Sequence, residues 1–481
     1  MPDTSARPLW TAAEVAAATG GALHGDDRPI TGLTYNSREI VAGDLFLALK
    51  GARDGHEFAA SAFAAGAAAA LVEHAVEGGP YVVVEDTLHG LERLGVAARE
   101  RAPHVKRGAV TGSVGKTSVT QAIKAGLDLA GPAHASIKSY NNHIGVPLTL
   151  ARMPVETERA VFEIGMNAPG EIAPLSKFVA PHAACVTTVG PVHIEAFADG
   201  EAGVAREKAS IFHGLVPGGT AVANGDVAFS GVLCDAAKAV GARLVTFGTD
   251  AGHDARLKDF RPDAEGATVV AELFGKPLEY RLAQSGAHWG LNSLCVLLML
   301  DALDVTLDTG LQALAGFQPL AGRGQTRTVT VPGGAFTLID ESYNANPLSM
   351  SAGFKSLGAR PTSGRRIVVL SDMLELGDQS RALHEGLALP IEAANLDLVH
   401  AAGPEMRWLY DALPVSRRGL WRETAAELAA EVSLLAAPGD IVMVKGSNGS
   451  KASLVAKALA DLNSAEEGAS PSSSGAPRAT R

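Results

Sequence analysis

The stretch GAVTGSVGKTSVTQAIKAGL, residues 108–127, decides the fold. Its first residues read as an apolar strand, Gly112 to Gly115 as a tight turn, and the run from Lys116 onward as a helix. That order suits a nucleotide phosphate. Glycines let backbone N–H groups close around an anion, and the helix N-terminus adds the positive end of its dipole. Gly112, Ser113, Val114, Gly115, Lys116, Thr117 and Ser118 are therefore the candidate phosphate-binding residues, with Lys116 neutralising charge and the Thr117 hydroxyl ligating magnesium. The common phosphate-loop spacing is G-x4-G-K-[ST]. Here Gly112 lies only three residues before Gly115, and Val110 stands five before it, so this loop is short. A Gly-rich strand–helix turn with a Thr or Ser cap is the plainer alternative, but it gives no reason for a lysine beside the last glycine.

Outward from that loop the chain alternates strands and helices. RAVFEIG (159–165), AACVTTV (183–189) and GTAVANGD (219–226) read as further strands, most followed by helical stretches. This predicts an α/β fold with a mainly parallel sheet, helices on both faces, and ligands at the carboxyl ends of strands. FTLIDES (336–342), RRIVVLSD (365–372), DLVHAAG (397–403) and GDIVMVKG (439–446) restart the pattern as another α/β domain. Before the loop, GDLFLALKG (43–51) and YVVVED (81–86) read as strands, and 57–70 and 88–101 as helices. The expected division is 1–105, 106–318 and 319–462, with a Ser/Gly/Pro/Ala-rich disordered tail over 463–481.

Composition narrows the partners. The 481 residues are 47% hydrophobic and 19% charged, enough for a large core. A net charge of −11 with no basic stripe argues against nucleic acid, while leaving room for a local groove for a small anion. Cys185, Cys234 and Cys295 are odd in number and widely spaced, which reads as reduced thiols of a cytoplasmic protein rather than a disulfide or zinc framework. The N-terminal residues lack the pattern of a signal peptide, and no run of 18 strongly apolar residues predicts a membrane span.

Single polar residues at strand ends and turns mark the remaining chemistry. Glu163 ends a strand and suits magnesium, or is an ordinary solvated or capping acid. His193 sits in a Gly-Pro turn, structural or close to a metal-bound phosphate. Lys208 falls on a helix, where lysines are usually solvated. Asn292 opens another helix and suits a base edge or phosphate. Arg323, between Gly322 and Gly324, suits close bidentate approach to a phosphate. Asp340 ends a strand ahead of Asn344 and Asn346, and Lys445 precedes a Gly-Ser turn that suits a carboxylate or phosphate.

Taken in order, the phosphate loop, Glu163, His193, Lys208, Asn292, Arg323 and Asp340 resemble the Mur ligase superfamily, which makes amide bonds in the peptidoglycan stem at the expense of ATP. SYNNHIGVPLTL (139–150), GMNAPGEI (165–172), VGPVHIEAF (189–197) and DESYNANPLSM (340–350) resemble its dipeptide-adding branch. NSREIVAGDLFLALKGARDGHEF (36–58) is similar to the family's uridine-nucleotide domain. The resemblance implies a three-domain architecture with a central phosphate-loop sheet and a Rossmann-like C-terminal domain. It implies a cytoplasmic monomer that joins D-alanyl-D-alanine to UDP-N-acetylmuramoyl-tripeptide through an acyl phosphate.

On these residues it implies that Lys116, Glu163, His193 and Lys208 are catalytic. Two magnesium ions would be held by Thr117, Glu163, His193 and Lys208, the last carbamylated by CO2. Asn292, Arg323 and Asp340 would bind ATP, and Ser37, Arg38, Asn141 and Asn142 the uridine-linked substrate. Asn344, Asn346 and Lys445 would face the amino substrate. Closure of the third domain would keep water from the acyl phosphate. Two positions depart from the family: Trp289 where asparagine is common, and Asn36 where aspartate is common. A sister ligase adding another amino acid, a phosphate-loop kinase and a silent nucleotide-binding protein are the competing readings.

Overall fold

The computed structural model describes residues 8–137, 139–263, 265–318 and 320–462. The expected disordered tail over 463–481 lies outside them. The described residues form two compact units, one drawn from 8–261, 268–283 and 289–317, the other from 262–267, 284–288 and 318–462.

The first unit contains most of a nine-stranded sheet. Six of its strands, Ala133–Ala135, Arg159–Glu163, Lys106–Thr111, Ala183–Val186, Thr220–Asn224 and Arg243–Gly248, lie side by side in that order and run parallel. Ala255–Asp263 continues the parallel run, and Gly266–Leu273 and Lys276–Leu282 complete the sheet. The strand that feeds the phosphate loop is therefore flanked on both sides, with Glu163 opposite Val110 on one side and Val186 opposite Thr111 on the other. This places three strand carboxyl ends together, where open parallel sheets bind ligands.

Alternation along these strands loads both faces. Val110, Val161, Cys185 and Val222 pack with the helices Lys116–Ala130 and His288–Ala302. Ala109, Phe162, Ala184 and Ala221 pack with the helices Ile172–Val179, Glu201–Ala209 and Ser230–Ala239. Burial on both faces is why the strands read as continuous apolar runs. Phe162 is fully enclosed, and burial of a side chain that size contributes roughly 1.5–3 kcal/mol. Trp289 is part of the first core and meets Phe317 at a tilt, 5.4 Å between ring centres, so its indole fills space in that core.

A smaller five-stranded sheet in the same unit orders Ala22–His24, Tyr81–Val83, Ala69–Val72, Asp44–Leu47 and Gly32–Thr34. The helix expected over 57–70 is shorter: Gly55–Phe58 is a 3₁₀ turn, Ala59–Ala64 is helical, and Ala69–Val72 is a fully buried strand. Alanines carry no strand signal, and Gly66, in the left-handed region at φ +105°, ends the helix. The other expected helix forms at Thr87–Glu100, where Asp86 caps it by accepting from the His89 N–H.

In the second unit a six-stranded sheet orders Gln325–Val331, Gly334–Glu341, Ile441–Lys445, Arg366–Ser371, Leu398–Ala402 and Arg418–Arg422. The first pair is antiparallel and the rest are parallel. All three cysteines are free thiols, with Cys234 half-buried and the other two fully enclosed. Among the described residues, no helix is long and apolar enough to cross a membrane.

Candidate active site

The phosphate loop is built by position-specific backbone. Gly115 caps the helix Lys116–Ala130 at φ +86°, a left-handed conformation that costs glycine little. A Cβ on Gly112 would collide with the Thr187 hydroxyl, so only glycine fits there. The helix opens on Lys116, whose Nζ donates to the Gly112 carbonyl at 2.7 Å. Val114, Gly115, Lys116 and Ser118 are half-buried, and Ser113 is enclosed. The Ser113 hydroxyl donates to the Gly190 carbonyl at 3.0 Å and accepts from the Gly190 N–H at 2.9 Å. Those bonds tie the phosphate loop to the turn that carries His193. His193 itself is half-buried and held at φ +52°, at the start of a 3₁₀ turn Ile194–Ala196.

Glu163 is enclosed rather than solvated, at 1% exposure. The Thr117 hydroxyl donates to its Oε2 at 2.6 Å, and the Asn141 amide donates to its Oε1 at 2.7 Å. Its backbone N–H is received by Ser136 at 3.1 Å. A carboxylate and a hydroxyl oxygen this close, at the mouth of a phosphate loop, form the hard-oxygen donor set that magnesium prefers. The residues present therefore fit the ion.

Lys208 is the most unusual group in the unit. It lies on the helix Glu201–Ala209 at 1% exposure, and among the described residues its ammonium meets no carboxylate and makes no hydrogen bond. Burial, reinforced by the Lys116 charge and opposed by Glu207, pushes its pKa well below the ordinary lysine value. A buried, uncompensated ammonium is costly. Loss of the proton leaves a nucleophilic amine, the form that takes up CO2, so the site fits a carbamate. The neighbouring Glu207 faces elsewhere. Its carboxylate accepts from the Gly170 and Ile172 N–H groups, each at 2.8 Å, anchoring this helix to the segment that follows Glu163.

Asn292 lies on the helix His288–Ala302 with its amide against the phosphate loop, 3.5 Å from where a Gly115 Cβ would stand. On the other side, Ser37 and Arg38 sit in a turn where the Asn36 side chain accepts from the Arg38 N–H at 3.1 Å. An aspartate would serve that bond equally well. Tyr35 of this turn meets Tyr140 with ring centres 6.4 Å apart, which brings the expected uridine segment beside Asn141 and Asn142. Asn141 is engaged with Glu163, and the Asn142 oxygen accepts from the Ile144 and Gly145 N–H groups at 3.2 and 2.9 Å.

The second unit holds the remaining candidates. Gly322 and Gly324 take φ of +76° and +96°, and Arg323 between them lays its guanidinium over the Tyr343 ring at 4.1 Å. The Gly324 N–H donates to the Asp340 carbonyl at 2.8 Å, so Arg323 and Asp340 share one loop system. The Asp340 carboxylate receives the Ser342 hydroxyl at 2.6 Å. Asn344 accepts from the Ala345 N–H at 2.9 Å, and Asn346 caps the helix Pro347–Gly358 through a reciprocal box with Ser349. Lys445 is enclosed and donates to Glu341 and to the Asn344 carbonyl, both at 3.1 Å. Burial alone would raise the Glu341 carboxyl, but Lys445 and His288 outweigh it and hold it below its usual value.

Sequence reasoning passed over Thr187, Glu207 and Asn224, three polar groups whose partners lie far along the chain. Thr187 and Asn224 signal themselves only as polar residues after an apolar run, and Glu207, between Arg206 and Lys208, gives no such signal. Asp54, His56 and His74 form another cluster with metal-ligand spacing. However, His56 Nε2 accepts from the Glu73 N–H at 2.8 Å, so its proton sits on Nδ1, 2.6 Å from Asp54. A metal on Nδ1 would force a proton onto Nε2, against that N–H, so the cluster is structural.

Residues 29–114 match the model described as Mur ligase family, catalytic domain; 110–300 match the Mur ligase middle domain; and 322–448 match Mur ligase, glutamate ligase domain. The UDP-N-acetylmuramoyl-tripeptide–D-alanyl-D-alanine ligase of Escherichia coli is 32% identical over 93% of this chain and 98% of its own length. The enzyme of that name from Mycobacterium tuberculosis is 32% identical over 93% and 97%. Among solved structures, MurF from Acinetobacter baumannii superposes with a TM-score of 0.83 at 29% identity, covering 94% of this chain and 99% of that one. MurF from Thermotoga maritima in complex with ADP gives 0.76 at 25%, covering 90% and 98%. With a mainly parallel sheet, a phosphate loop fed from one of its interior strands, and relatives matched along nearly their whole length, this chain belongs to the Mur ligase family.

Proposed function

We propose that this chain is an ATP-dependent amide ligase that adds D-alanyl-D-alanine to UDP-N-acetylmuramoyl-tripeptide, releasing ADP and phosphate. The observation that carries the reading is the pairing of a phosphate loop with a buried lysine that makes no ion pair among the described residues, in a chain matched over 93% of its length by a ligase of that name. A kinase reading leaves the buried Lys208 unexplained.

The tripeptide carboxylate is a poor electrophile. One of its oxygens attacks the γ-phosphorus, the bond to ADP breaks, and an acyl phosphate forms. The dipeptide amine attacks the acyl carbon, a proton leaves the nitrogen, and phosphate departs as the amide closes. In this reading Lys116 and the loop N–H groups hold the phosphates against their mutual repulsion. Thr117, Glu163, His193 and carbamylated Lys208 would hold magnesium. When bound, that ion neutralises charge on the transferring phosphoryl group. Asn141 orients Glu163, and Asn292, Arg323 and Asp340 supply further ATP contacts. Ser37, Arg38 and Asn142 belong to the uridine-substrate side, and Asn344, Asn346 and Lys445 to the amino-substrate side. We assign residues 1–105, 106–318 and 319–462 to the substrate, ATPase and amino-substrate domains of a cytoplasmic monomer.

An isotope experiment tests this. Tripeptide labelled with ¹⁸O in its terminal carboxylate should pass one labelled oxygen into inorganic phosphate on each turnover with D-alanyl-D-alanine. Unlabelled phosphate would sink the acyl-phosphate route. Turnover only with a different amine would reassign the chain to a sister ligase.

A further inference from the structure

Thr187 follows the strand Ala183–Val186, one strand away from the phosphate loop, and is 2% exposed. All three of its polar groups are committed. Its N–H donates to the Thr111 carbonyl at 2.9 Å, and its carbonyl accepts from the Asn224 amide at 2.8 Å. Its hydroxyl donates to the Val114 carbonyl at 2.6 Å, inside the phosphate loop. The backbone bonds fix where the Thr187 side chain stands, and the missing Cβ of Gly112 leaves room for it.

The bond to Val114 has a geometric consequence. A trans peptide unit is planar, with its C=O and N–H pointing in opposite directions. A Val114 carbonyl drawn toward Thr187 therefore turns the Gly115 N–H the other way. Gly115 caps the helix, and the first N–H groups of a helix have no partner within it. A carbonyl oxygen is the wrong group to face an anion. Lys116 draws the Gly112 carbonyl away, and Thr187 does the same for Val114. The neighbouring Thr188 carbonyl receives the Ser113 N–H at 2.8 Å, so the loop is clasped at successive residues.

We infer that Thr187 is a positioning residue that sets the Val114–Gly115 peptide plane so that the phosphate loop presents N–H groups to the nucleotide phosphates. Asn224 holds Thr187 in place from the next strand. This rests on the reading of residues 112–118 as the ATP-phosphate site.

The test is calorimetric binding of ADP without magnesium, with adenosine as the phosphate-free control. Thr187→Val should weaken ADP about tenfold, the worth of one hydrogen bond, and leave adenosine unchanged. Thr187→Ala should do the same, so the outcome does not depend on whether valine is accommodated. Thr187→Ser, which keeps the hydroxyl, should restore ADP affinity to within about twofold. Wild-type ADP affinity in Thr187→Val and Thr187→Ala, alongside its loss in Lys116→Ala, would overturn the inference. So would parallel loss of ADP and adenosine with a lowered melting temperature, which marks a purely structural role. Unchanged ADP binding in Lys116→Ala would instead overturn the phosphate-site reading beneath it.

Discussion

Lys208→Met should lower kcat by about a thousandfold while leaving the melting temperature unchanged or raised. These two expectations pull in opposite directions for an ordinary buried lysine, which is what makes them informative. The Lys208 stem is fully enclosed, and its amine has no carboxylate partner among the described residues. Methionine keeps most of the packing volume and removes a group that is costly to bury, a change that is often neutral or stabilising. If the amine served the fold, the variant would melt earlier and keep its activity. In the proposed role the neutral amine attacks CO2, a nitrogen–carbon bond forms and a proton is released, giving an anion beside Lys116. Protein equilibrated with ¹³C-bicarbonate should then show a carbamate carbon resonance that Lys208→Met lacks. A wild-type protein without that resonance, active at full rate in CO2-depleted buffer, would refute the role.

Glu163→Gln should lower kcat/KM by about a hundredfold or more and raise the magnesium concentration for half-maximal activity. The carboxylate is enclosed and oriented from both sides, by Thr117 at 2.6 Å and Asn141 at 2.7 Å. The amide has nearly the same shape but no charge to offer a cation. Asn141→Ala, which frees one oxygen of Glu163 without removing its charge, should cost less, about tenfold, as losses of supporting hydrogen bonds around metal ligands do. A Glu163→Gln enzyme with an unchanged magnesium requirement would show that Glu163 is only a structural acid. Equal losses in the two variants would place Asn141 in direct contact with the substrate.

Much of the scaffold could be read from residue order alone, for reasons visible in particular segments. The strands at 106–111, 159–163, 183–186 and 220–224 are buried on both faces, so each carries a short apolar run, and all but Ala183–Val186 end in a polar residue. The polar ends, Glu163 among them, are where a parallel sheet concentrates its ligands. The strand Ala255–Asp263 was not legible, because ARLKDFRPD is mostly exposed and its charged residues mask the alternation. Residues 57–70 read as one helix because their alanines suit either helix or a small buried strand, and the neighbouring strands chose the latter for Ala69–Val72.

Site residues divide along similar lines. Lys116 and Thr117 owe their places at the helix start to a local strand–turn–helix, which is legible in the spacing alone. Asn142 and Asn346 sit in conspicuous polar motifs, yet their side-chain oxygens cap the backbone of the helical turns that follow. Thr187, Asn224 and Glu207 act on backbone groups 35 to 73 residues away, and nothing in the local sequence announces such partners.

The most direct measurement is release of phosphate from magnesium-ATP in the presence of UDP-N-acetylmuramoyl-tripeptide and D-alanyl-D-alanine, leaving out one component at a time, with the product weighed by mass spectrometry. Release is expected only when all three are present, with a product heavier than the tripeptide nucleotide by the dipeptide less one water. Release that continues at the same rate without the dipeptide, with no such product, would contradict it.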